Sequence, residues 1–193
     1  MTPLIMASYQ NYDQIAQYLI KEGANVNARV NDRRTALMWS AAQNSTQVAK
    51  LLIENGAKVN ETAPVGDTAL IWAAYQGSLK VAQLLINSGA DVNAEAEDGG
   101  TPLFVAAKGG NLKVVRLLLD EGAKVNAATN NGRTPLIAAT TERHPQVVKT
   151  LIESGADVKA RTDKGQTPFL IAAYNDYEEI ADILAKAGAN KIQ

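Results

Sequence analysis

One histidine, His144, and no cysteine occur in these 193 residues, and those two counts bound the chemistry. Disulfides, a thiol nucleophile, a thiolate zinc site and any multi-histidine metal site are excluded by composition. His144 sits in Arg143-His144-Pro145, near a helix start, and we expect a structural role for it. Seryl or carboxylate catalysis needs a positioned base and an oxyanion hole, and no motif suggests either. Gly99-Gly100 and Gly109-Gly110 read as turn glycines, because no Gly-x-x-x-x-Gly-Lys-Ser/Thr phosphate loop occurs. The acidic clusters Glu95, Glu97, Asp98 and Glu178, Glu179, Asp182 lack calcium-loop spacing. We therefore expect no catalytic, metal-binding or cofactor-binding residue, no cofactor, and a protein that is not an enzyme.

The side chains left to do chemistry are those that bind. Trp39 and Trp72 lie 33 residues apart, with Tyr75 three residues beyond Trp72 and Gln43 four beyond Trp39, so each pair shares neighbouring faces of a helix. The two indoles should lie side by side, with Pro64 and Val65 forming an apolar tip between them. Aromatic and apolar clusters are where binding energy concentrates. Inter-repeat core is the favoured placement for both indoles, since Met6, Val105, Ala138 and Ile171 hold the same position elsewhere; partial groove exposure is the alternative. Tyr75 is the better candidate for exposure. A net charge of −1 from 19 basic and 20 acidic residues provides no basic stripe for nucleic acid. No apolar run approaches the roughly 20 residues of a membrane helix.

The elements that must position these residues recur with a fixed period. Thr-Pro-Leu or a near copy begins at Thr2, Thr35, Thr68, Thr101, Thr134 and Thr167, and Gly-Ala follows at Gly23, Gly56, Gly89, Gly122, Gly155 and Gly188. Such a period means stacked units rather than one closed globule. In the unit from Thr101, the threonine is a good N-cap and Pro102 suits the first helical position. Leu103 to Ala107 is then a short buried helix, broken by Gly109-Gly110-Asn111. A second helix runs from Leu112 to Glu121, and Gly122 stops it in the left-handed conformation. Asn130-Asn131-Gly132 makes a tight hairpin-like turn before the next threonine. Two apolar ladders are predicted in the second helices, one through Ile15, Val48, Val81, Val114, Val147 and Ile180, the other through Leu19, Leu52, Leu85, Leu118, Leu151 and Leu184. Val26, Val59, Val92, Val125 and Val158 should anchor the loops.

This pattern resembles the ankyrin repeat over essentially all of residues 1–193, with several motifs in register through six copies. Gly66, Gly99, Gly132 and Gly165 match the loop glycine. Ala41-Ala42, Ala73-Ala74, Ala106-Ala107 and Ala172-Ala173 match the Ala-Ala pair, and Gly89 to Ala94 matches the terminal Gly-Ala-x-Val-Asn-Ala. The usual histidine after Thr-Pro-Leu is replaced throughout by Ile5, Met38, Ile71, Phe104, Ile137 and Leu170, so an apolar ladder should substitute for a polar network. Arg33 stands where the first loop's glycine is usual, and Lys159 and Ile192 replace the late Asn. The fold class implied is all-α: an ankyrin-repeat solenoid of helix–turn–helix units at 2–34, 35–67, 68–100, 101–133, 134–166 and 167–193, forming one domain over 1–193. The first and last units should act as caps. The first lacks a preceding hairpin, and the last carries Ala185 where the others have Ile or Leu.

The resemblance implies a non-enzymatic interaction module that binds a protein or peptide through a concave groove of hairpin tips and first helices. Positions there vary between units while the core hardly changes. The tips run from Asn31 to Arg34, Pro64 to Asp67, Glu97 to Gly100, Asn130 to Arg133 and Asp163 to Gln166, and Thr141 should line the groove between them. The candidate partner-binding residues are Tyr9, Arg34, Trp39, Gln43, Pro64, Val65, Asp67, Trp72, Tyr75, Lys108, Arg133 and Tyr174. Lys50, Arg116 and Lys149 on the second helices mark a solvated face. Uniform cores also permit a structural or engineered scaffold with no dedicated partner, although the irregular tips and Arg33 argue for natural divergence. A small-molecule site or enzyme in the groove is disfavoured by the missing motifs. We expect a monomer without nucleic-acid or membrane partners. No signal peptide is visible at Met1, and the absence of Cys suits the cytoplasm, as it would an engineered or exported chain.

Overall fold

A computed structural model describes residues 1–29 and 33–189. Twelve helices occur among them in six pairs: α1 (Pro3–Tyr9) with α2 (Asp13–Lys21), α3 (Ala36–Ala42) with α4 (Thr46–Glu54), α5 (Ala69–Tyr75) with α6 (Leu79–Asn87), α7 (Pro102–Lys108) with α8 (Leu112–Asp120), α9 (Pro135–Thr141) with α10 (Pro145–Glu153), and α11 (Pro168–Tyr174) with α12 (Glu178–Lys186). Strand pairing among the described residues is limited to an isolated bridge between Arg29 and Thr35. The architecture is all-helical, as the period predicts.

The threonines start the first helices. Each of the six takes an extended backbone, and its hydroxyl accepts a hydrogen bond from the amide three residues on, for example Phe104 N at 3.2 Å from Thr101 Oγ1. At the other end of each unit the glycine ends the second helix. Gly122 has φ +84°, and a Cβ there would meet nothing within 4 Å, so glycine serves backbone conformation and not clearance.

The helices form two layers. Each first helix packs on the next first helix, each second helix on the next second helix, and the two layers meet within every pair. A seven-residue helix buries too little surface to hold itself, so each pair depends on its neighbours. Val48, Val81, Val114, Val147 and Ile180 are all at most 1% exposed, as are Leu52, Leu85, Leu118, Leu151 and Leu184. The first pair departs from both ladders. Ile15 is 50% exposed and Leu19 is only partly buried, because among the described residues no helix packs on that side of α2. The ladder that replaces the histidines is buried from Ile5 to Ile137 but not at Leu170, which is 53% exposed. The ladder through Val48 thus faces the preceding pair and the ladder through Met38 the following one, each opening where its neighbour ends. The loop valines are partly buried against the core.

Polar contacts fix the register between pairs. Asn27, Asn60, Asn93 and Asn126 each reach the next unit, donating through Nδ2 to the carbonyl of Gly56, Gly89, Gly122 and Gly155, and accepting through Oδ1 from the amide of Lys58, Asp91, Lys124 and Asp157. Lys159, at the next position, carries no side-chain carboxamide to repeat this. The hairpin tips are joined as well: Glu97 N donates to Val65 O at 2.9 Å, Asn130 N to Asp98 O at 2.8 Å, and Asp163 N to Asn131 O at 3.2 Å. Gly66 is required there, because a Cβ would lie 2.8 Å from Ala96 Cα. Arg33 keeps the left-handed backbone of the loop glycine, with φ +56°, a conformation costing a non-glycine residue roughly 1–2 kcal/mol. Asn31, Asp32 and Ile192 lie outside the described residues.

Candidate functional site

Between the tip residue Arg34 and the first helices α3 and α5 lies an aromatic strip built around a cation. The Arg34 guanidinium carbon lies 5.1 Å from the ring centroid of Trp39 and 4.8 Å from that of Trp72, both within cation–π range. Tyr9 meets Trp39 edge-to-face at 5.2 Å, and Tyr75 meets Trp72 edge-to-face at 6.4 Å, the arrangement aromatic quadrupoles prefer. The two indoles do occupy equivalent places on adjacent first helices, but a cation separates them. Both are partly buried and packed against the apolar cluster, which lies between the favoured core placement and partial exposure. Their Nε1 atoms are nevertheless buried, without a hydrogen-bond acceptor among the described residues. The polar edge of each ring is turned away from solvent, leaving the rings to act through their π surfaces.

Asp67, the tip residue one period after Arg34, is partly buried beside this strip. Burial raises its pKa above the usual carboxylate value, Arg34 opposes the rise and Asp98 adds to it. Pro64 is exposed and Val65 is 50% exposed, so this tip is apolar and open. Tyr75 is 56% exposed; Gln43 is exposed at the end of α3, and Lys108 at the end of α7.

A second concavity lies at the other end. An open cavity of about 700 Å³ is floored by Ile137, Thr141, Leu170, Ile171, Tyr174 and Asn175 and walled by Asn131, Arg133, Thr162, Asp163, Lys164 and Gln166. Arg133 and Tyr174 of the candidate residues fall here, far along the stack from Trp39. Tyr174 is 88% exposed. Leu170 is expected in the apolar ladder that replaces the histidines, and instead it floors this cavity. The available signal was that Leu170 belongs to the sixth copy of a stacking ladder, on which no further described unit packs.

His144 has a bridging place in the frame. Its Nε2 lies 3.0 Å from the Lys108 carbonyl oxygen, so the tautomer protonated at Nε2 donates to the end of the preceding first helix. Asn111, one period earlier, donates to the carbonyls of Ala74 and Tyr75 at 2.9 and 3.0 Å. Opposite the groove, Lys50 pairs with Glu54 at 3.7 Å and Lys149 with Glu153 at 3.9 Å, all well exposed; these are solvated i,i+4 pairs worth little. Among the described residues no group of three or more His, Asp or Glu side chains could hold a metal ion, and no helix is long and apolar enough to cross a membrane.

Six helix pairs stacked in two layers, with hairpins linked tip to tip, define a helical-repeat solenoid. The family model described as "Ankyrin repeats (3 copies)" matches residues 4–96, 70–162 and 128–193, and the chain belongs to the ankyrin-repeat family. Ankyrin repeats generally serve as protein–protein interaction modules. A search of curated proteins found no match.

Proposed function

We propose that this chain is a non-enzymatic interaction module that takes a protein or peptide in the groove, with its energetic centre on the second to fourth units around Trp72, Tyr75 and the Pro64-Val65 tip. The observation that carries this is the half-exposed aromatic strip from Tyr9 to Tyr75. Large rings already held by neighbouring rings lose little conformational freedom on binding, and aromatic anchors dominate interface energetics. The stacked frame is preformed, so association need not order it. The module is taken to act as a monomer.

The test is an affinity series against a partner recovered by co-purification from native extract. Tyr75→Ala should weaken binding by about 1–2 kcal/mol or more with little change in stability, as for an exposed anchor. Arg116→Glu, on an exposed position of α8, should leave affinity nearly unchanged. Loss of binding in Arg116→Glu with none in Tyr75→Ala would move the site to the opposite face.

A further inference from the structure

We propose that the indole pair Trp39–Trp72 is a cation-binding slot which the chain fills with its own Arg34, and that the groove recognises a basic segment whose arginine side chain takes Arg34's place. The proposal rests on the groove reading above and names the chemistry of its partner.

The chain itself shows what the slot accepts, since a guanidinium stands about 5 Å from both ring centroids. The indole N–H groups are buried, so the slot offers π surface and no hydrogen-bond donor of its own to an anion. The charges around it favour the same sign of ligand. Asp67 borders the slot, and Glu97 and Asp98 occupy the next tip, which is hydrogen-bonded to the Asp67 tip through Val65. Of the basic residues on the adjoining segments, Arg29 bridges to Thr35 through its backbone and is paired with Glu61, while Arg33 and Lys108 are exposed to water, where screening weakens them. A carboxylate entering the slot would meet the negative faces of two rings and the Asp67–Asp98 pair. An arginine would meet the same two ring faces and the same carboxylate that Arg34 meets.

Displacement of Arg34 is therefore an exchange. An empty slot leaves Asp67 without the cation that stabilises its charge and leaves two ring faces bare, so Arg34 leaves only when another cation arrives. Filled by its own residue, the slot screens out weakly basic sequences and admits those whose neighbouring residues add contacts along Tyr75 and the Pro64-Val65 tip.

Trp39 and Trp72 are the only two tryptophans in the chain, so intrinsic fluorescence reports the slot directly. The probe is an alternating arginine–glycine peptide of about eight residues, titrated at fixed low salt, with a glutamate–glycine peptide of equal length as control. Arg34→Ala should show red-shifted emission, reversed saturably by the arginine peptide with an affinity at least about tenfold above wild type. Arg34→Lys should stay near wild type, because the slot remains filled. Arg116→Ala makes the same change in net charge away from the slot and should not raise affinity. Asp67→Asn added to Arg34→Ala should reverse most of the gain. Arg34→Gln makes the same comparison should the alanine variant lose helicity. Equal affinities in wild type and Arg34→Ala, an equal gain in Arg116→Ala, or an equal response to the glutamate peptide would each overturn the slot. The Tyr75 and Arg116 series with the native partner decides the groove separately.

Discussion

At the scale of single residues, the contacts of Arg34 decide how the groove behaves. A surface arginine ordinarily samples many rotamers. Here two rings hold it, and its charge in turn acts on Asp67. Asp67 has a raised pKa in the fold, so the native state binds its proton more tightly than the unfolded chain does. Its contribution to stability is greatest below the ordinary value of 3.8 and declines as pH rises through the raised folded value. We expect Asp67→Asn to be neutral or stabilising at pH 7 and to lose that advantage toward pH 4. Urea titrations of both proteins across that range test this; a difference that does not change with pH would remove Asp67 as its source. In an Arg34→Ala background the pH dependence should steepen, because the one influence that lowers the pKa is gone while burial and Asp98 remain.

At the scale of the helix pair, local signals start and stop each element and inter-unit amides set its register. The asparagine contact between units supplies two hydrogen bonds at the surface, such as Asn93 to Lys124 N at 2.8 Å and to Gly122 O at 3.3 Å. Asn93→Ala should cost about 1–2 kcal/mol, because it removes both while leaving the next loop's amide to water. Lys159→Ala should stay within about 0.5 kcal/mol, as for an ordinary surface change. Denaturant midpoints distinguish the two, and equal losses would mean that the amide contacts do not hold the register. Asn111 and His144 serve the first helices in a similar way, each reaching back to the preceding unit. Ser45 and Ser78, at the same position, are buried with hydroxyls that have no partner among the described residues, so those two junctions rely on apolar packing.

At the scale of the whole molecule, stability should be graded along the stack, since each pair contacts only its neighbours. The last pair is attached without an asparagine contact from Lys159, and its stacking face leaves Leu170 open. Leu118 and Leu184 are equally buried, both at 0% exposure, so burial alone predicts equal costs on truncation. The solenoid predicts otherwise. Leu118→Ala, in the middle, should cost about 2–5 kcal/mol from lost transfer energy and a cavity. Leu184→Ala should cost less in global unfolding, because its loss cannot exceed the free energy of opening the last pair. Matched denaturant titrations, with hydrogen exchange on α12, test this; equal losses would mean that the stack unfolds as one cooperative block.

The sequence alone determined the frame. A 33-residue period with Thr at one mark and Gly at another is local information. Capping, helix termination and apolar spacing are decided within a few residues, so six helix pairs and their inner ladders were legible. It also marked Trp39, Trp72, Tyr75 and the Pro64-Val65 tip as one neighbourhood, because equal register in a repeat implies adjacency in space. What the tertiary structure decided concerns residues whose environment is set by a different unit. Ile15 and Leu170 fit their ladders by type and position, yet they are exposed because no described pair packs over them. Arg34 belongs to one tip by sequence, but its guanidinium is held by rings on two successive first helices. Likewise the cavity above Leu170 and Tyr174 forms between units. Side chains that look equivalent along the chain differ because burial and charge depend on what stacks beside them, and a periodic pattern carries no record of those neighbours.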